Sequence, residues 1–349
     1  TYKEIKGVTI QTLDSDPVED KGTFSTGGNL NSGRSLAAAG DKTAGLGFGG
    51  YDGPPNTKID LTEQYNGTSW SEVNELNVGR YAMVGLGTQT AAIGAGGYTS
   101  PPTPTPHRNE DVESWNGTNW TEVAELNSDM RSGTGFGTAT AGYVIGGVRG
   151  GSVSDAVESW NGSSWTETTE INTARAGAAG AGITTAGLIF GGTTAAPAIT
   201  GITELWNGSA WTETSDMPTA ADSVFGGGTS TLAAAAGGSV PSKITTLQLW
   251  DGSNWTTNPT GLAGQRSSGG TNSSPTQGNL LVTGGTGPGP TNYNPTATEE
   301  LSFPEPTAAI LTEGMIFLSG GTALKGFGKA GGIPTGSWAS GGSMNTARA

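Results

Sequence analysis

Nine of the ten tryptophans in this 349-residue chain fall in five copies of one motif. Each copy reads as an aromatic residue, Asn-Gly (once Asp-Gly), two small residues and a Trp. The copies are Tyr65–Trp70, Trp115–Trp120, Trp160–Trp165, Trp206–Trp211 and Trp250–Trp255, and Trp338 opens an incomplete further one. Asn-Gly between two strand-like segments is a strong hairpin signal, because both residues tolerate the positive φ of a type I′ turn. The flanking aromatics then emerge on one face of the hairpin and can pack together against a neighbouring unit. A spacing of roughly 44 to 50 residues is that of a propeller array built from four-stranded blades.

Each unit follows one order. Trp120–Leu126 is polar and edge-like; Gly133–Thr140 and Tyr143–Gly147 are short, small-residue strands; a variable loop follows, and Val157–Trp160 leads into the next Asn-Gly. A Gly-Gly pair ends the second strand six times, at Gly49, Gly96, Gly146, Gly191, Gly237 and Gly284 and the glycine after each. Small residues suit the strands that crowd around a propeller axis. The sixth unit has its Gly-Gly and a third strand near residues 297–302, but no hairpin after it. Its missing outer strand stands at the other end of the chain. Residues 24–34 align without gaps onto residues 70–80, so the N-terminal strand is expected to complete the last blade and remove the open sheet edges. The expected fold is all-β, a six-bladed propeller closed by its N-terminal strand. Asn66, Asn116, Asn161 and Asn207 also match the N-glycosylation pattern, but turn geometry explains their recurrence.

Composition narrows the function classes. A net charge of −14 with only 13% charged residues disfavours nucleic acid and anionic membrane surfaces as partners. No cysteine is present, which excludes disulfides and thiol chemistry. No apolar run approaches the roughly 20 residues of a membrane-spanning helix.

The Gly-Gly ending the second strand, the aromatic ending the third, the Trp after the turn and the Arg before the next blade resemble the kelch repeat, over about four-fifths of the chain. The form Trp-Asn-Gly-Thr/Ser-x-Trp-Thr-Glu with Asn-Thr-Ala-Arg is similar to the kelch-like virion and tail-fibre proteins of phages of marine and aquatic bacteria. Tyr2–Gly7 resembles the leader of such proteins. Residues 314–327 resemble a β-hairpin of phage fibres, with Phe317 where Trp is common. The resemblance implies a leader or attachment segment at 1–23, the propeller at 24–305, a linker with a fibre-like hairpin at 306–335, and at 336–349 the first strand of a further, truncated propeller module. It implies a virion or extracellular location, other virion or fibre proteins as partners, and homo-oligomers through the fibre.

Two charged positions repeat. Arg34, Arg80, Arg131, Arg175 and Arg266 stand at the entry to the innermost strand, and Glu63, Glu113, Glu158, Glu204 and Glu299 stand two residues before the third-strand aromatic position. In the fifth unit these positions are Ala221 and Gln248, so both partners vanish together. Concerted loss points to contact, since one charge left buried alone is costly. The expectation is a structural Arg–Glu brace in each blade rather than an anion-binding ring.

Function is then expected in what does not repeat. The loops between second and third strands combine aromatics, prolines and polar groups. They place Tyr51, Asp52, Tyr98, His107, Arg108 and Tyr293 on one face, with a composition suited to sugars. Proline stiffening lowers the entropy lost on binding. Asp52 and Asn56 offer too few ligands for Ca²⁺, and no metal or cofactor is expected. The single histidine, His107, has no Cys or second His beside it, and no carboxylate pair for glycoside hydrolysis is identifiable from spacing. The expected function is non-enzymatic: a virion fibre or appendage component that recognises a host-surface glycan. The alternative is a purely structural spacer or decoration module. More distant are a propeller enzyme acting on glycans and an intracellular adaptor.

Overall fold

The computed structural model describes residues 22–53, 59–99, 107–108, 110–195, 198–271, 277–288, 295–303, 316–319 and 323–326. Residues Asp20–Pro304 form one compact unit, and within it six antiparallel four-stranded sheets make a six-bladed β-propeller. Blade 1 runs outward from Ser35–Gly40 through Gly45–Tyr51 and Thr62–Tyr65 to Trp70–Val73. Blades 2 to 5 repeat this order over residues 84–122, 134–168, 179–214 and 225–258. Blade 6 takes three strands from the end of the array, Gly270–Thr271, Leu281–Thr283 and Thr298–Ser302, and its outer strand from the start, Thr23–Thr26. Phe24 faces Leu301 in that pairing. The expected closure therefore forms, and the ring has no open sheet edge at its seam. Separately, Ile316–Ser319 and Ala323–Gly326 pair as an antiparallel hairpin; the leader and residues 336–349 lie outside the described residues.

The turn at each motif differs from the type I′ expectation. Only its glycine has positive φ, for instance Gly67 at 87° and Gly117 at 91°; the preceding Asn does not. Instead the Asn side chain accepts two backbone hydrogen bonds, as Asn116 Oδ1 does from Thr118 N and Asn119 N, each at 2.9 Å. Asp251 replaces Asn in blade 5 and accepts the same pair, which lowers its carboxyl pKa. The short polar side chain, not its tolerance of positive φ, is what this turn selects.

Each hairpin brings its aromatics together. The rings of Trp115 and Trp120 are 5.4 Å apart, and those of Trp206 and Trp211 are 5.2 Å apart. The first Trp is anchored in its own blade, Trp115 Nε1 donating to Gln89 O at 2.9 Å. The second reaches the preceding blade. Trp120 Nε1 donates to Thr62 Oγ1 in blade 1 at 3.0 Å, and its ring lies 4.8 Å from Phe48. These indoles fill the wedge between blades with large apolar area while meeting their one polar requirement. At the seam the first aromatic is Tyr65, whose hydroxyl donates to Glu300 Oε1 of blade 6 at 2.5 Å. Burial and the Glu300 carboxylate push the Tyr65 pKa to about 12.

Nearer the axis the Gly-Gly pairs join blade to blade. The second glycine of each donates its N–H to the carbonyl of the residue opening the next blade. The six bonds run Gly50 to Arg80, Gly97 to Met130, Gly147 to Arg175, Gly192 to Ala221, Gly238 to Arg266 and Gly285 to Arg34, at 2.7–2.9 Å. The last closes the circle. The first glycine makes this approach possible: a Cβ on Gly191 would lie 2.6 Å from Ala221 O, and one on Gly284 only 2.4 Å from Arg34 O. Alanine at Gly191, whose φ is +69°, is expected to cost at least about 3 kcal/mol, from left-handed strain plus displacement of the next blade. Gly150 has φ +54° but nothing within 4 Å of a built Cβ. Its alanine variant should lose only about 1–2 kcal/mol. Urea melts of both variants check the contrast.

The braces lie buried inside the blades. Arg34–Glu63 is 2.5 Å, Arg80–Glu113 2.8 Å and Arg175–Glu204 2.5 Å; Arg266–Glu299 also pairs. None of these four arginines is more than 3% exposed, so they form no ring of free cations around the channel. Each guanidinium also ties backbone carbonyls of its own blade, as Arg80 does with Gly96 O and Asp111 O. Burial pulls Arg175 and Arg266 below the usual arginine range, against the opposing pull of Glu204 and Glu299. The second carboxylate oxygen accepts the N–H of the residue three before the brace position, for example Asn77 N to Glu113 Oε2 at 2.8 Å. In blade 5 that residue is Pro218, which has no N–H. There Gln248 accepts from Thr219 N at 2.8 Å and donates to Thr219 O at 3.1 Å, and Ala221 opens the blade without a charge.

Arg175→Ala should cost about 3–5 kcal/mol by leaving Glu204 buried and unpaired. Adding Glu204→Gln, which copies blade 5, should recover much of that loss in the same melts.

Candidate functional site

The blade-3 brace does not use Arg131. Counted from the asparagine that meets the glutamate, the brace position is Arg80 in blade 2 (three after Asn77) but Met130 in blade 3 (three after Asn127). Arg131 is one residue too late, and the alternation of the backbone turns it away. Its place is taken by Arg149, from the short ribbon after Gly147: Arg149 Nη1 lies 2.5 Å from Glu158 Oε1, with both side chains buried. The carboxylate still accepts Asn127 N at 2.7 Å. The requirement that Glu158 be neutralised is met by a residue 18 positions further along the chain than Arg131.

What expected loops look like also changes. The segments between second and third strands open as two-stranded ribbons in blades 2 to 5: Tyr98–Thr99 with His107–Arg108, Val148–Arg149 with Ser152–Val153, Thr193–Ala195 with Ala198–Ile199, and Ser239–Val240 with Ser242–Lys243. The first residue of each ribbon bridges the residue that follows the brace position: Tyr98 to Tyr81, Val148 to Arg131, Thr193 to Ala176 and Ser239 to Asp222. Ribbons and blade entries thus share one face around one mouth of the central channel.

A cavity of about 370 Å³ opens at that mouth. Part of its wall is a chain of backbone hydrogen bonds. Ser132 N donates to Ala82 O, Gly177 N to Ser132 O, Ser223 N to Gly177 O and Ser268 N to Ser223 O, at 2.7–3.1 Å. All five residues are left-handed, and Gly177 alone is free of the strain this imposes on side chains. Five successive blades use the same device, so its role is structural; it fixes the positions of the residues just before it.

Those preceding residues are Tyr81, Arg131, Ala176, Asp222 and Ser267, five different side chains at one repeat position. Tyr51 and Tyr81 line the cavity. Their rings are 5.5 Å apart, and Tyr81 lies 5.1 Å from Tyr98 in an edge-to-face contact. Arg131 continues the row, its guanidinium carbon 5.9 Å above the Tyr98 ring. All four side chains are half-buried. Burial, with the neighbouring Tyr98 hydroxyl, raises the Tyr81 pKa against the lowering effect of Arg131, so Tyr81 is a neutral phenol at ordinary pH. At the equivalent position of blade 5 stands Asp222, its pKa raised by burial against the hydrogen bond with Thr193; in blade 6 Thr286, which lines the cavity, meets the Ser267 hydroxyl at 3.2 Å.

The face foreseen from the sequence is therefore assembled in part. Tyr51 and Tyr98 join one row, and Asp52 follows Tyr51 at its edge, half-buried. His107 and Arg108 supply the backbone strand paired with Tyr98–Thr99. Tyr293 and Asn56 lie outside the described residues. Tyr81 was not foreseen, although the variation at its repeat position was a signal for it. Arg131, assigned to a brace, belongs here.

Among proteins of known sequence no family model and no curated protein matches the chain. A solved structure described as "Structure of YjhT" is similar to it with a TM-score of 0.64 at 15% identity, covering 77% of this chain and 95% of that one. A likeness at that identity concerns the propeller fold alone.

Exchange of the two blade-3 arginines in role gives a direct check. Arg149→Ala should destabilise by about 3–5 kcal/mol, as for a broken buried pair. Arg131→Ala should cost only about 1–2 kcal/mol, the worth of a half-buried cation–π contact. Equal losses in chemical denaturation would contradict this assignment.

Proposed function

We propose that this chain is a non-enzymatic recognition module of a virion fibre or appendage, acting outside the cell and binding a host-surface glycan at the channel mouth bounded by blades 1 to 3. The observation that carries the reading is the row Tyr51–Tyr81–Tyr98, with ring centroids 5.1–5.5 Å apart on half-buried side chains beside a cavity. Among the described residues the other aromatics of the propeller pack in the wedges between blades or at the blade-6 seam. Tyr51 and Tyr98 occupy a position where other blades carry Val, Thr or Ser, and Tyr81 one where they carry Ser, Arg, Ala or Asp. The inter-blade packing therefore does not require them. Phenols offer flat apolar faces to the C–H surface of a sugar ring and hydroxyls to its edge.

The virion setting rests on the kelch-like repeat and its phage-type form, Trp-Asn-Gly-Thr/Ser-x-Trp-Thr-Glu. The hairpin at Ile316–Ser319 and Ala323–Gly326 is in keeping with a fibre element after the propeller. In that setting other fibre proteins, and further copies of this chain, are the structural partners.

Tyr81→Ala with Tyr98→Ala should reduce binding of the full chain to a glycan array, and to host cells, by at least tenfold. The melting temperature should move far less than on loss of a wedge residue such as Trp120, because neither tyrosine is fully buried. Unchanged binding in the double variant would favour the spacer role.

A further inference from the structure

The propeller has six arginines with described side chains, and five of them are committed to a glutamate within their own blade. Arg131 is the exception. Among the described residues its side chain has no ion pair and no hydrogen bond; an unpartnered buried Nε it shares with the braced Arg80, Arg175 and Arg266. Its guanidinium carbon lies over Tyr98 at the end of the aromatic row. This arrangement depends on a substitution elsewhere: because Arg149 neutralises Glu158, Arg131 is not needed inside the blade. A half-buried guanidinium presents planar paired donors matched to a carboxylate or similar oxyanion, and a neutral hydroxyl uses only part of that capacity.

We propose that the mouth selects an acidic glycan, with a sugar ring stacked on Tyr81 and Tyr98 and its carboxylate held by Arg131. The inference rests on the glycan reading above and adds the charge of the ligand. The equivalent position in blade 5 is Asp222, whose carboxylate is hydrogen-bonded to Thr193 of blade 4, so among these positions the cation of blade 3 is the one suited to an anion. The chain's net charge of −14 gives no long-range attraction for a polyanion. Selectivity must then come from contact with Arg131 and not from steering.

The test is an array of uronate-bearing glycans printed beside their carboxyl-reduced counterparts, probed with the full chain. The wild-type protein should favour the acidic member of a pair by tenfold or more. Arg131→Gln should bind both members alike, at the level of the reduced one; Arg131→Lys should restore part of the preference. Tyr81→Ala should lose both members. A cooperative thermal melt shows that Arg131→Gln is folded. Equal or better binding of reduced glycans by the wild type overturns the acidic assignment and leaves the glycan reading standing. Discrimination that survives in Arg131→Gln overturns the role of Arg131. If the wild type retains no glycan at all, both readings fall.

Discussion

The propeller depends on a contact between main chains. At each junction the N–H of a glycine meets the carbonyl of the residue that opens the next blade, and the glycine before it leaves the space for this approach. Because the contact is backbone to backbone, it persists where that opening residue is Arg, Met or Ala. It is also what lets the side chains around it vary. Six such bonds form a circle only if the last blade has a first blade to meet, and Gly285 finds Arg34 there. Ring closure and blade packing are therefore one constraint. The outer strand Thr23–Thr26 completes the sheet, while the inner contacts fix the number of blades.

Outside this circle lie two side-chain systems with different tolerances. The tryptophans bury apolar area between neighbours and meet their N–H requirement in the preceding blade or their own turn. They recur with little change. The buried carboxylates are a stricter matter, since desolvating one without a partner costs several kcal/mol. The blades meet that demand in three ways: with an arginine at the blade entry, with Arg149 brought from a ribbon, or with a neutral Gln248 in place of the acid. The demand is for neutralisation at one point in space. It is not for an arginine at one point in the sequence.

That distinction links architecture to the candidate site. Positions just inside the mouth are set by the chain of left-handed residues from Ala82 to Ser268, whose backbone groups are consumed by their neighbours. What stands before each is free to differ. Blades 2 and 3 place Tyr81 and Arg131 there, blade 4 Ala176 and blade 5 Asp222, so one repeat position changes chemistry from blade to blade. A repeat fold can vary one surface in this way without disturbing its core: the framework is carried by the backbone, and the variation by one side chain per blade.

The period of the Asn-Gly-x-x-Trp hairpins, the six Gly-Gly pairs and the alignment of residues 24–34 with 70–80 were enough, as sequence, to specify six blades and their closure. These are local or one-dimensional signals, and a repeat array converts them directly into structure because each unit meets only its neighbours. The paired loss at Ala221 and Gln248 likewise revealed the braces. The sequence did not reveal that Arg131 lies one residue out of register, or that Arg149 supplies the charge in its stead. That exchange is between residues brought together only when the ribbon folds back over its own blade. Nor did it assemble Tyr51, Tyr81 and Tyr98, which belong to two blades and three segments of chain. Proximity across blades is set by the closed ring, so tertiary structure alone decided which of the non-repeating residues form one surface.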